Sequence, residues 1–151
     1  MQTRRQAVQK AAVVAALLAS TSLFPQFAFA FSKEAFEAKN IQDALKALGA
    51  GGLTESKDVI LTAPDIAENG AVVPFAVSTT LPGVKRLLIL VEKNPASLIA
   101  LFNVSESIEP AFSTRAKMGQ SSDVYAVALM ADGKAMYAKK QVKVTLGGCG
   151  G

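Results

Sequence analysis

Leu87-Leu88-Ile89-Leu90-Val91 is apolar at every position, and this run constrains the fold more than any other stretch of the chain. Leu81-Pro82-Gly83 turns the chain into it and Asn94-Pro95 turns the chain out of it, so the spacing predicts a strand over Val84–Glu92. Successive side chains of a strand point to opposite faces. One face meets a core, and the other needs a cover of its own. Two covers are open: an N-terminal helix, or a partner subunit, because a large exposed apolar patch is a liability on a lone monomer. Leu98, Ile99, Leu101 and Phe102 pose the same problem on the next strand. Two neighbouring two-faced strands favour the partner.

The remaining strands are punctuated by turn residues. Val59–Ala67 is one run, and Asn69-Gly70 reads as a tight hairpin turn into Ala71–Thr80. Pro74 has no N–H to give a ladder, which demotes that strand to an edge or a bulge. Ser97–Val104, Ala111–Lys117 and Ser122–Met130 follow, and Asp132-Gly133 is a second hairpin signal, leading into Ala135–Leu146. Six or seven short strands at this spacing predict a mainly β, antiparallel sandwich of immunoglobulin-like type. One α-helix is expected ahead of them, over Lys33–Leu48. Ser32 can cap it, Ile41, Ala44, Leu45 and Leu48 form one apolar stripe, and Gly49, Gly51 and Gly52 stop it.

Residues 1–30 read as an export signal. Arg4, Arg5 and Lys10 precede the apolar stretch Ala11–Leu18, and Ala28-Phe29-Ala30 offers small residues for cleavage. Adjacent arginines mark a twin-arginine signal, although Ala7 and Val8 stand where the usual pattern has Phe and Leu. As a membrane anchor the stretch would be interrupted by Ser20-Thr21-Ser22, Pro25 and Gln26. The expected mature chain begins at Phe31, forms one domain over 31–146, and lies in the periplasm with no membrane contact. Removing three basic and no acidic residues takes 16 Lys+Arg to 13 against 12 Asp+Glu, so net charge falls from +4 to +1. No basic surface for nucleic acid is left to argue from.

Two absences narrow the chemistry. With no His, a Ser-His-Asp triad, a Cys-His dyad and a blue-copper site are all impossible. With a single Cys, no intrachain disulfide can form, and a leftover thiol in an oxidising compartment points to intermolecular pairing or to reactivity.

That cysteine is Cys149, set in Gly147-Gly148-Cys149-Gly150-Gly151 after the strand positions Val142, Val144 and Leu146. Glycine keeps more backbone freedom than any other residue, so residues 147–151 are expected to be a mobile arm. Five residues reach about 16–18 Å when extended. Nothing in the arm lowers a thiol pKa from its usual value of about 8.5, so activation has to come from whatever site receives it. This is the profile of a covalent carrier with no catalytic residue, metal or cofactor of its own. Two other readings remain: a structural interchain disulfide, and an independent thiol enzyme such as a sulfurtransferase.

The ending Val142-Lys143-Val144-Thr145-Leu146-Gly147-Gly148-Cys149-Gly150-Gly151 resembles the C-terminus of the SoxY family. So do the twin-arginine leader, Ile41-Gln42-Asp43-Ala44-Leu45, Ile66-Ala67-Glu68-Asn69-Gly70 with Val73-Pro74, Glu92-Lys93-Asn94-Pro95, Ser113-Thr114-Arg115 and Asp132-Gly133. The resemblance implies a periplasmic sulfur carrier of bacterial thiosulfate oxidation. It implies a heterodimer with SoxZ, a smaller β-sandwich protein, and sulfur intermediates held on Cys149. It also implies passing contacts with the haem protein SoxAX, which conjugates thiosulfate, with the dimanganese hydrolase SoxB, which releases sulfate, and with SoxCD where present.

Overall fold

The structure is a computed structural model and describes residues 33–145. The chain divides into two units, Met1–Lys33 and Glu34–Gly151, and the second is described below. The expected signal, its cleavage point at Phe31 and the arm over 147–151 lie outside the described residues.

The predicted helix is two helical segments. Residues 33–37 are helical, 38–40 are not, and α1 spans Ile41–Ala47. The break has a local cause. Asn40 takes an extended conformation (φ −140°, ψ 161°), and its side-chain oxygen accepts the Asp43 N–H at 2.8 Å, which caps α1. The Ala38 carbonyl, which a continuous helix would use internally, accepts the Ser97 N–H from the sheet instead. At the other end the Gly49 N–H reaches the Lys46 carbonyl and the Ala50 N–H the Leu45 carbonyl, with Gly49 at φ +79°. This pair of bonds is the Schellman ending, which needs a left-handed residue.

Among the described residues nine strands follow: β1 (Leu53–Glu55), β2 (Val59–Thr62), β3 (Ile66–Ala67), β4 (Val73–Thr79), β5 (Val84–Val91), β6 (Leu98–Asn103), β7 (Ala111–Ala116), β8 (Ser122–Met130) and β9 (Ala135–Val144). The larger sheet runs β1-β9-β8-β5-β6, with β3 also on β9; the smaller is β2-β4-β7. The mainly β, immunoglobulin-like sandwich read from the strand spacing is the observed architecture. It is not wholly antiparallel, because β1 and β3 both pair with β9 in parallel. The run Val59–Ala67 breaks at Ala63-Pro64-Asp65, and its second part goes to β9 rather than to β4. Asn69-Gly70 is therefore no tight hairpin; β2 pairs with β4 across a longer connection. Asp132-Gly133 does close the β8–β9 hairpin. Pro74 sits in the central strand of the small sheet, yet β2 covers only Ala76–Thr79, so the ring lies past the end of β2 and removes no ladder bond there.

The two-faced strand finds both covers inside the chain. Leu87, Ile89 and Val91 pack between the sheets with Val73, Phe75, Val77, Val124, Ala126 and Ala128. Leu88 and Leu90 pack outward against Ala35, Ile41, Ala44, Leu45 and Leu48, together with Leu98, Val127 and Leu129. The expected partner interface over Leu87–Val91 is thereby corrected. All five side chains are fully buried within the chain, and the helical segments are the cover.

Where α1 ends it touches the β8–β9 turn. Gly133 has φ +85°, its carbonyl accepts the Gly51 N–H at 2.9 Å, and a Cβ there would come 3.0 Å from the Gly49 carbonyl oxygen. A left-handed conformation costs an ordinary residue about 1–2 kcal/mol, and the close oxygen adds to it. Gly133→Ala is therefore expected to lower the urea midpoint by an amount equivalent to about 1–3 kcal/mol. An unchanged midpoint would mean that this contact places no demand on the turn.

Candidate functional site

Cys149 and its glycines Gly147, Gly148, Gly150 and Gly151 lie outside the described residues, but the strand that leads to them is described to Thr145. Its last paired residue on the β8 side is Val142, opposite Ser122. Past that point a bare strand end would leave its N–H groups to solvent, yet here three in succession are taken. The Lys143 N–H donates to the Asp65 carbonyl at 2.9 Å and the Thr145 N–H to the Ala67 carbonyl at 3.1 Å. Val144 points its N–H the other way, where β8 has already ended, and the Ser121 hydroxyl oxygen accepts it at 2.9 Å. The Thr145 hydroxyl lies 3.5 Å from the Glu68 carbonyl.

The surrounding loops are themselves tied. Lys140 extends its ammonium to the Ala63 carbonyl at 2.6 Å and to an Asp65 carboxylate oxygen at 2.9 Å, holding the segment that feeds β3. Asn94 donates through Nδ2 to the Lys117 carbonyl at 2.8 Å and accepts the Gly119 N–H at 3.4 Å. The Met118 N–H reaches the Gly70 carbonyl at 2.7 Å, and the Met118 side chain is fully buried. Ser122 uses its hydroxyl to accept the Lys93 N–H and to donate to the Asp123 carbonyl. Sequence reading missed Ser121, Asn94 as a clamp, and β3. The one local signal was the pair of hydroxyl residues where β8 begins.

Among the described residues no group of three or more metal-ligating side chains converges, and no helix is long and apolar enough to cross a membrane. On the outer face of the larger sheet Tyr125 and Tyr137 stand 5.7 Å apart, with the Lys139 ammonium 5.9 Å from the Tyr125 ring centre and 3.4 Å from Asp123. Burial pushes the Tyr125 hydroxyl above its usual pKa; coupling to Tyr125, then to Asp123, raises Lys139. A groove of about 760 Å³ runs along the small sheet, with Thr62, Pro64, Pro74, Ala76, Ser113 and Arg115 in its lining. Among the described residues Arg115 is its single charged lining residue.

The model of the family described as sulfur oxidation protein SoxY matches residues 44–149, more than half of the chain and a span that includes Cys149. The chain belongs to the SoxY family. The solved structure of the sulfur carrier protein SoxY from Chlorobium limicola f thiosulfatophilum is 34% identical over 71% of this chain and 97% of that one, with a TM-score of 0.64. Two superoxide reductases share the fold alone. The neelaredoxin of Ignicoccus hospitalis is 15% identical over 57% of this chain and 79% of that one (TM-score 0.51). A putative enzyme of Thermotoga maritima is 11% identical over 62% and 95% (TM-score 0.52). The chain has no match among curated proteins. Membership of the SoxY family agrees with the motifs that suggested it in the sequence.

Proposed function

We propose that this SoxY-family chain is a sulfur carrier that holds thiosulfate-derived sulfur covalently on Cys149 and presents it to other enzymes. The observation that carries the reading is the pairing of one thiol with no His: Cys149 is the sole cysteine, and the family match runs through it. The kinship with a protein described as a sulfur carrier supports it. So does the clamped strand end, which gives a terminus of bare glycines a fixed root.

Each step balances. Loading joins R–SH and thiosulfate to give R–S–S–SO₃⁻, one proton and two electrons, the electrons leaving to the haem of the conjugating enzyme, SoxAX. Hydrolysis by SoxB adds water across the terminal S–S bond. It releases sulfate and two protons and leaves the persulfide R–S–S⁻ for oxidation by SoxCD where that enzyme is present. The chain supplies the thiol and its delivery; the partners supply acid–base and redox groups that a protein without His lacks. It works without a cofactor of its own, as a heterodimer with SoxZ, in the periplasm after export by the twin-arginine route.

The test is peptide mapping after incubation with thiosulfate and the haem-containing conjugating enzyme. A thiosulfate adduct released by reductant, on the peptide that contains Cys149, is expected. Adducts on another residue, or turnover of thiosulfate by the purified chain alone, would refute the carrier reading.

A further inference from the structure

We propose that Lys85 and Arg86 form a binding site for a doubly charged inorganic oxyanion of the sulfate class. Adjacent residues of a regular strand point to opposite faces, but these two do not. Between Val84, opposite Met130, and Arg86, opposite Leu129, β5 advances two residues where β8 advances one. Lys85 is the extra residue of a β-bulge, a feature that re-aims side chains. The packing follows from it. Val84 and Leu87 both enter the core between the sheets, so the two residues that separate them turn away from it together. There they join Leu48, Leu129, Gly49 and Gly133 in the lining of one pocket of about 350 Å³, beside the end of α1. The Lys85 carbonyl accepts the Val104 N–H at 2.8 Å, which holds the bulge from the side of β6.

Among the described residues neither cation has an ion pair or a side-chain hydrogen bond, and no carboxylate lines the pocket. Asp132, between the lining residues Ala131 and Gly133, is already engaged by Lys134, through an ion pair at 3.5 Å and by accepting the Lys134 N–H at 3.0 Å. The end of α1 does not account for the cations either, because the Leu45 and Lys46 carbonyls accept the N–H groups of Leu48, Gly49 and Ala50. Arg86 is half-buried, and an unpaired guanidinium held partly out of water favours a counter-ion that can enter the pocket. Two positive charges on neighbouring residues match one dianion; a single carboxylate would leave half of that charge uncompensated. The guanidinium fork binds an oxyanion through two parallel N–H bonds, and the ammonium adds a point charge. Sulfate and thiosulfate both belong to this class. β9 runs away from the pocket for 10 residues, which puts its far end at Val144 roughly 30 Å distant. An anion bound here is therefore separate from any sulfur held on the carrier thiol.

Sodium sulfate is the probe, titrated into the full chain with sodium chloride adjusted to hold the ionic strength constant, and the amide NMR spectrum is the readout. The Gly49 and Gly133 amide signals should shift saturably, with a midpoint in the millimolar range expected of two charge-assisted contacts. Arg86→Gln and Lys85→Gln should each raise that midpoint about tenfold or more. Both side chains reach solvent, so the melting temperature in chloride should barely move; Lys85, the more exposed, provides the second variant should Arg86→Gln destabilise the fold. Shifts that rise linearly with sulfate, or a midpoint unchanged in these variants, would overturn the site. Shifts produced by a tetraglutamate peptide and not by sulfate would overturn the oxyanion assignment and make the pocket a docking point for an acidic protein surface.

Discussion

Leu88→Asp is expected to unfold the domain outright, in the absence of any partner. Leu88 is fully buried between the larger sheet and the helical segments, beside Leu90, Val127, Leu129 and Leu45. Two losses combine there. Burying a leucine side chain contributes about 1.5–3 kcal/mol. A carboxylate in its place carries an uncompensated desolvation cost of several kcal/mol even after relaxation, and no described cation lies in that cluster to offset it. A domain of this size has about 5–15 kcal/mol in all. The expected result is loss of the cooperative thermal transition in circular dichroism, whereas Leu88→Ala, costing about 2–5 kcal/mol, keeps a transition at lower temperature. An aspartate variant that melts within a few degrees of the unaltered protein would show that this face is open to solvent, and would restore it as a candidate subunit interface.

That experiment also marks where the sequence was and was not legible. Because alternation and turn residues are local signals, periodicity placed strands in each of the expected runs, although Val59–Ala67 proved to be two, β2 and β3. It also showed correctly that Leu87–Val91 needs two covers. It could not say which cover, since the answer depends on Ala35, Ile41, Ala44, Leu45 and Leu48 returning to the sheet across the intervening chain. A stripe of four apolar positions along α1 and its C-cap fits a core as well as it fits a partner. β1 and β3 were illegible for a related reason: three and two residues long, they exist only as parallel pairings on β9 and carry no pattern of their own. The single-helix expectation failed at residues 38–40, where an apolar stripe continues in register through a break made by Asn40 and by the Ser97–Ala38 bond. The thiol was legible at once, because a lone Cys among glycines is a compositional fact. The clamp at its root was not, because Ser121 and Asn94 act on residues 23 to 25 positions away.

Cys149→Ser is expected to abolish sulfur loading while leaving the domain folded. Oxygen replaces sulfur with nearly the same shape, so packing offers no reason for a change. Among the described residues, two hydrophobic clusters hold the sandwich together. The chemistry changes completely. A serine hydroxyl stays protonated at neutral pH where a thiol is a few per cent thiolate, and it cannot form the S–S bond that the carrier reading requires. No second cysteine exists to take over, and no His is present to activate the alcohol. Intact-mass measurement after incubation with thiosulfate and the conjugating enzyme should therefore show adduct at background level, with an unchanged melting temperature. The same variant also removes any interchain disulfide, so reduction of the unaltered protein provides the separating arm. A structural crosslink predicts that the disulfide-linked dimer is the active form and that reductant inactivates it. A carrier predicts the opposite: the dimer has no thiol to load, and reductant restores uptake in proportion to the Cys149 thiol it releases.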